Sequence, residues 1–240
     1  MMKTAVLAIA AALLLVACKG EDPQAAAQAA AAQAAAEEQK AEAMAKQFED
    51  AVAAQNWHLA KGYGEVLQID HPTSAAAARI QPLLGEVKAK AEAEAQKRRL
   101  AALWSYGDEE AKGGRQLSAA IYSQEPLDTD GSGAHPVRLI FRDHPSWGRS
   151  AYLVLEAGDF DCYKGCRLKV VADGKTLTLP GSRPKTDEAI AMFIEDYRGL
   201  WKQMRKAQVL EIEFPVKAGG TRTAVFEVGG LDGSQMPGWD

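Results

Sequence analysis

The spacing of apolar residues changes character along this chain, and each change predicts an element. From Ala5 to Val16 every residue is apolar. A bilayer core takes about 20 residues to cross, so this shorter run, preceded by Lys3, has the charged-then-apolar order of an export signal. From Lys19 to about Glu38 the chain is mostly Ala and Gln with no apolar stripe. Alanine favours helix, yet a helix with nothing to bury frays, so an exposed helix and a frayed tether both fit. Met44, Phe48 and Val52 then recur every four residues, which puts them on one helix face. Trp57, Ala60, Tyr63 or Gly64, and Leu67 repeat the device in a second helix, expected to stop at Asp70-His71-Pro72 because proline disfavours helical geometry in the residue before it. A third helix is expected to start at Thr73 or Ser74, both capping residues, and to reach Leu103, kinked or interrupted by Pro82 and Gly85.

After Trp104 the period shortens to two. Short runs bounded by turn residues predict strands over 116–123, 136–142, 150–155, 167–172, 175–179, 209–216 and 222–228. Val137, Leu139 and Phe141 alternate on one strand, as do Leu210, Ile212 and Phe214, so each set shares a sheet face. Lys217-Ala218-Gly219-Gly220 between the last two strands predicts a hairpin. One helix is expected among the strands, starting at Thr186-Asp187-Glu188 and presenting Ile190, Phe193, Ile194, Tyr197, Leu200, Trp201 and Met204 to the sheet. The pattern predicts an α+β protein: a helical arm followed by a β-rich domain with one packed amphipathic helix.

Charge removes one class of partner. The net charge is -4, whereas nucleic-acid binding calls for a basic face that displaces counterions from phosphates. The residues that close the first apolar run, Leu15-Val16-Ala17-Cys18, resemble the bacterial lipobox. That resemblance implies cleavage before Cys18, acylation of Cys18, and anchoring in a membrane through the lipid. Lys19 stands where an Asp would favour inner-membrane retention, so the resemblance implies the periplasmic face of the outer membrane. The expected organisation is a signal peptide over 1–17, an Ala/Gln-rich tether over 18–40, a helical arm over 41–103 and a β-rich domain over 104–240. Within the arm, Gln55-Asn56-Trp57 with Ala60, Tyr63, Leu67, Asp70 and Pro72 resembles the second half of a tetratricopeptide repeat. No second copy follows at the repeat's period, so a lone helical hairpin is the expectation.

The candidate chemistry is sparse. With Cys18 acylated, Cys162 and Cys166 are an even pair in an oxidising compartment, which favours a disulfide. Four residues of straight strand would hold their Cα atoms about 13 Å apart, beyond disulfide reach, so the chain must turn through Tyr163-Lys164-Gly165. A redox-active pair and a metal site are the alternatives, but His58, His71, His135 and His144 are not at ligand spacing. The string Phe160-x-Cys162-x-x-Gly165-Cys166 resembles one in periplasmic proteins of the invasion-associated locus B type, which implies an envelope module and no activity. Asp128-Thr129-Asp130-Gly131-Ser132-Gly133 opens like a calcium loop, yet Leu139 stands where the closing glutamate belongs, and a solvated hairpin loop is expected. Ser182-Arg183-Pro184-Lys185 matches a serine-x-x-lysine pattern without its partner motifs and is expected to be a loop. His135, Asp143, His144 and Ser150 have the chemistry of a catalytic group if folding gathers them. The sequence thus assigns no catalytic residue, metal or cofactor. It points to a tethered, non-catalytic domain that binds an envelope protein or peptidoglycan, with an immunity protein or inhibitor of a peptidoglycan-degrading toxin, and a periplasmic hydrolase, as alternatives.

Overall fold

The computed structural model describes residues 23–184 and 190–239. Cys18, the export signal and the expected helix start at Thr186-Asp187-Glu188 lie outside them. The fold is α+β, and its contacts divide the chain into a first compact unit ending at Ala91 and a second beginning at Glu92. No helix among the described residues is long and apolar enough to cross a membrane.

The first unit is built from α1 (Pro23–Ala53), α2 (Trp57–Asp70) and the larger part of α3 (Ala75–Ala102). The Ala/Gln-rich segment is therefore helical from Pro23 onward, with residues 23–37 exposed. Its core is mostly alanine: Ala41, Ala45 and Ala51 surround Phe48 on α1, and Ala60 and Leu67 of α2 and Ile80 and Leu84 of α3 close around that ring. Met44 and Val52 pack at the rim of this core. At Gly64 a Cβ atom would stand 2.6 Å from Leu84 Cδ1 and 3.1 Å from the Phe48 ring, so glycine is what lets α2 lie between its neighbours.

The start of α3 is held from two directions. Ser74 Oγ accepts from the Ala77 N–H at 3.0 Å, while the Glu38 carboxylate accepts from the N–H groups of Ala75 and Ala76 at 3.2 and 3.1 Å. These are the donors a helix leaves unpaired at its first turn, and an anion there suits the helix dipole. Of the kink or interruption expected at Pro82 and Gly85, the interruption does not occur: α3 continues through both. Proline removes one backbone hydrogen bond, and Ile80 and Leu84, buried on either side of it, keep the helix seated.

The second unit carries β1 (Trp104–Ala111), β2 (Gly114–Tyr122), β3 (Leu127–Asp128), β4 (Ala134–His135), β5 (Arg138–His144), β6 (Gly148–Val154), β7 (Cys166–Ala172), β8 (Lys175–Ser182), β9 (Ala191–Ile194), α4 (Tyr197–Met204), β10 (Val209–Pro215) and β11 (Thr221–Glu227). Nine strands make one sheet in the order β1-β2-β5-β6-β9-β8-β7-β10-β11, and β3 and β4 form a separate ribbon. All the pairings are antiparallel. The sheet curls back on itself. Ala224 and Phe226 of β11 share one core with Ala119 and Ile121 of β2, and the Gln124 N–H donates to Val225 O at 2.7 Å. Leu139, Phe141, Leu210, Ile212 and Phe214 are fully buried, as their alternation predicts.

Besides the short β3–β4 ribbon, two strands of the large sheet escape the sequence pattern. β1 carries Asp108, Glu109 and Glu110 in exposed positions at an edge of the sheet. β9 lies where a helix was expected, and the correction is local: residues 191–194 pair with β6 and β8, sending Met192 and Ile194 into the core. Ile190, placed by the helical reading on the apolar face, is 45% exposed. The helix begins only at Tyr197, after Asp196 accepts from the Gly199 N–H at 2.9 Å. The last turns of α3 also belong to this unit. Leu100 is buried, and the Arg99 guanidinium donates to both oxygens of Glu227 at 2.9 and 2.6 Å. Gly230 sits against the Leu100–Ala101 backbone, where a Cβ has no room.

Candidate functional site

α4 turns Leu200, Trp201 and Met204 toward the core. Beside that buried stripe run Arg198, Lys202, Arg205 and Lys206, at the i, i+4, i+7 and i+8 positions that share a helix flank. With the C-terminal tail they wall a cavity of about 650 Å³. Three rings contribute to it, Tyr197, Trp201 and Trp239, with centroids 5.7 Å apart for Tyr197 and Trp239 and 4.9 Å for Trp201 and Trp239. Phe141 supports both indoles edge-on at 5.1 and 5.6 Å.

The electrostatics of the cavity are one-sided. Arg149 is balanced by Asp143, whose Oδ2 accepts from Nε at 2.8 Å, and its Nη1 donates to Gly238 O. A Cβ at Gly238, where φ is +82°, would come within 2.7 Å of Arg149 Nη2, so the tail can close there only as glycine. No carboxylate among the described residues lines the cavity. Among the described residues Arg198, Lys202 and Lys206 have no carboxylate partner. The indole N–H groups of Trp201 and Trp239, residues 1% and 7% exposed, find no acceptor among them either. Cations, indoles and a phenol equip such a site to hold an anion. By sequence pattern α4 reads only as a core stripe. The basic flank was visible at helical spacing, but the arrival of Trp239 from the far end of the chain was not.

The cysteine pair sits elsewhere in the unit. Cys162 and Cys166 form a disulfide with Cα atoms 5.0 Å apart. The turn between them depends on Gly165, at φ +84°, whose N–H donates to Cys162 O at 3.1 Å. Behind the turn Arg183, its side chain 1% exposed, meets Asp159 in a two-pronged ion pair of 2.6 and 2.8 Å. The guanidinium lies 4.1 Å from the Tyr163 ring centre, and the Tyr163 hydroxyl donates to Asp159 Oδ2 at 3.1 Å. Burial alone would raise the Asp159 carboxyl, but Arg183, the Tyr163 hydroxyl and the Phe160 N–H outweigh it and hold the group below the usual carboxylate value.

The other residues singled out by sequence are occupied locally. Asp128 Oδ1 accepts from the N–H groups of Asp130 and Gly131, and Asp130 Oδ1 accepts from Ser132 N and Oγ, so the glycine-rich loop spends its carboxylates on its own turn. No group of three His, Cys, Asp or Glu is gathered among the described residues. Ser182 Oγ donates to Glu195, and Lys185 lies outside the described residues. His144 Nδ1 accepts from the N–H groups of Ser146 and Trp147 and its ring stacks on Trp147 at 3.9 Å. His135 belongs to the separate ribbon and lies 3.8 Å from Glu156, while Ser150 Oγ is buried without a partner among the described residues. No hydrogen bond among the described residues joins any two of His135, Asp143, His144 and Ser150.

No protein-family model and no curated protein matches this chain. Among solved structures, the crystal structure of invasion associated protein B from Bartonella henselae aligns with 53% of this chain and 85% of its own, at 12% identity and a TM-score of 0.37. A likeness of that degree assigns neither fold nor function.

Proposed function

We propose that this chain is a lipid-tethered envelope protein whose second unit is a non-catalytic binding domain, taking an envelope protein or peptidoglycan through the cavity beside α4. The observation that carries the reading is the composition of that cavity: cations and rings, with no carboxylate and no hydroxyl nucleophile paired with a base among the described residues that line it. The tether rests on sequence, on the apolar run from Ala5 to Val16 and the lipobox-like Leu15-Val16-Ala17-Cys18. Several acyl chains on one cysteine anchor firmly where a single chain binds only marginally. Residues 18–40 are then a spacer, and outer-membrane attachment follows from Lys19 within the same resemblance.

Two measurements test the two halves. Metabolic labelling with an alkyne fatty acid should mark the wild-type protein and not Cys18→Ser, which should leave the membrane fraction; an unlabelled wild-type protein removes the tether. The full chain should retain a component of envelope extract that the doubly reversed Arg198→Glu/Lys202→Glu chain does not. Equal retention by both chains places binding elsewhere.

A further inference from the structure

We infer that the cavity beside α4 takes a ring-bearing phosphate or carboxylate, its anionic group held by Arg198 and Lys202 and its ring laid against Tyr197 and the exposed rim of Trp239; this rests on the proposed binding role of the same cavity. Position on the helix separates the cations into two kinds. Cations near a helix C-terminus face its negative end and need no ligand to explain them, which accounts for Lys206 and for Arg205 at the C-cap. Arg198 is different. It is the second residue of α4, beside the positive end of the helix dipole, with Lys202 one turn on as a like charge. Arg198 thus opposes the helix dipole and repels Lys202, which by itself suits the last turn of the helix, and neither cation forms an ion pair with a carboxylate among the described residues.

An anion between Arg198 and Lys202 removes both penalties. Side chains four residues apart on a helix stand about 5–6 Å apart at Cβ, a gap that two or three oxygens on one centre can bridge with charge-assisted hydrogen bonds. Size then says what the anion is attached to. The cavity measures about 650 Å³, within the 300–1,000 Å³ common for small organic ligands and far more than a bare ion fills. The remaining volume is faced by Tyr197 and the rim of Trp239, with Trp201 behind them. Phosphate and carboxylate share the recognition chemistry, so the ligand class includes both.

The test uses the full chain carrying Cys18→Ser and the tryptophan emission of the cavity, titrated with phenyl phosphate, benzoate, inorganic phosphate and phenol. Phenyl phosphate or benzoate should bind saturably, at least tenfold more tightly than inorganic phosphate or phenol, and the arm that responds identifies the anion. Arg198→Glu should weaken binding at least tenfold while its melting temperature matches or exceeds the parent's, because an acid suits that end of the helix; Lys202→Glu should weaken it by a similar factor. Phenol binding as tightly as phenyl phosphate, no saturation with either organic anion, or full affinity in both variants overturns the inference. If both organic anions are silent while envelope capture is still lost in the doubly reversed chain, the ligand class falls and the binding role stands. Capture that survives the reversal sinks the site itself.

Discussion

Asp159 and Arg183 lie 24 residues apart in sequence, which is why nothing local announced them, although the cysteines beside them were legible as a pair that had to turn. A disulfide is inferred from residue type and compartment, whereas a buried ion pair depends on two strands meeting. Asp159→Asn removes the carboxylate that Arg183 meets in a two-pronged ion pair, and breaking buried pairs costs about 3–5 kcal/mol; chemical denaturation of the second unit should show that loss. The pH dependence has a definite sign. Because the Asp159 carboxyl is held below its ordinary value in the folded chain, its contribution is complete above the unfolded value of about 3.9 and is lost as pH falls toward and through the folded one. Acid titration should therefore destabilise wild type more steeply than Asp159→Asn below about pH 4.

The elements that sequence recovered were those with a clean period. Leu139 and Phe141, or Leu210, Ile212 and Phe214, alternate over enough residues to declare a strand. β9 is only four residues long, and Ile190, Phe193, Ile194 and Tyr197 happen to fall at helical spacing, so the helix that does exist was extended backward through it. β1 was hidden by its acids, since an exposed edge strand needs little apolar surface. Glycines separate packing from propensity at this level. Gly230→Ala forces a methyl group into the Leu100–Ala101 backbone and should cost about 1–3 kcal/mol. Gly62→Ala, inside α2 with nothing within 4 Å of the new atom, should gain about 0.5–1 kcal/mol from helix propensity alone. Thermal melts of the two variants should move in opposite directions.

The whole molecule contains two cores of unlike material. One is largely alanine around Phe48, and the other is a dense set of rings and branched side chains. Alanine buries little area per residue, so the first unit should be the less stable of the two. Calorimetry of the full chain should resolve two transitions, of which reductant lowers only the upper one, by the modest amount expected from opening a loop as short as Cys162–Cys166. One transition, shifting as a unit, would show that the cores melt together. The composition change near Trp104 marks where strands begin, but the compact units part at Ala91, a division that depends on Arg99 and Leu100 finding Glu227 and Gly230 and has no signature in composition.

The margins of the large sheet determine how copies of this chain treat one another. An open strand edge is a template on which a neighbouring chain can continue the sheet. At β1 that template is charged, with Asp108, Glu109 and Glu110 exposed side by side. At β11 it is occupied by the chain's own Gln124, bonded to Val225 O, and by Arg222 reaching back to Asp128 O. A protein held at high density on a surface meets its own kind far more often than one dispersed in solution. Were this chain held so, such encounters would bring like charge against like charge at β1 and meet a β11 edge already bonded at Val225 O, both of which oppose edge-to-edge pairing.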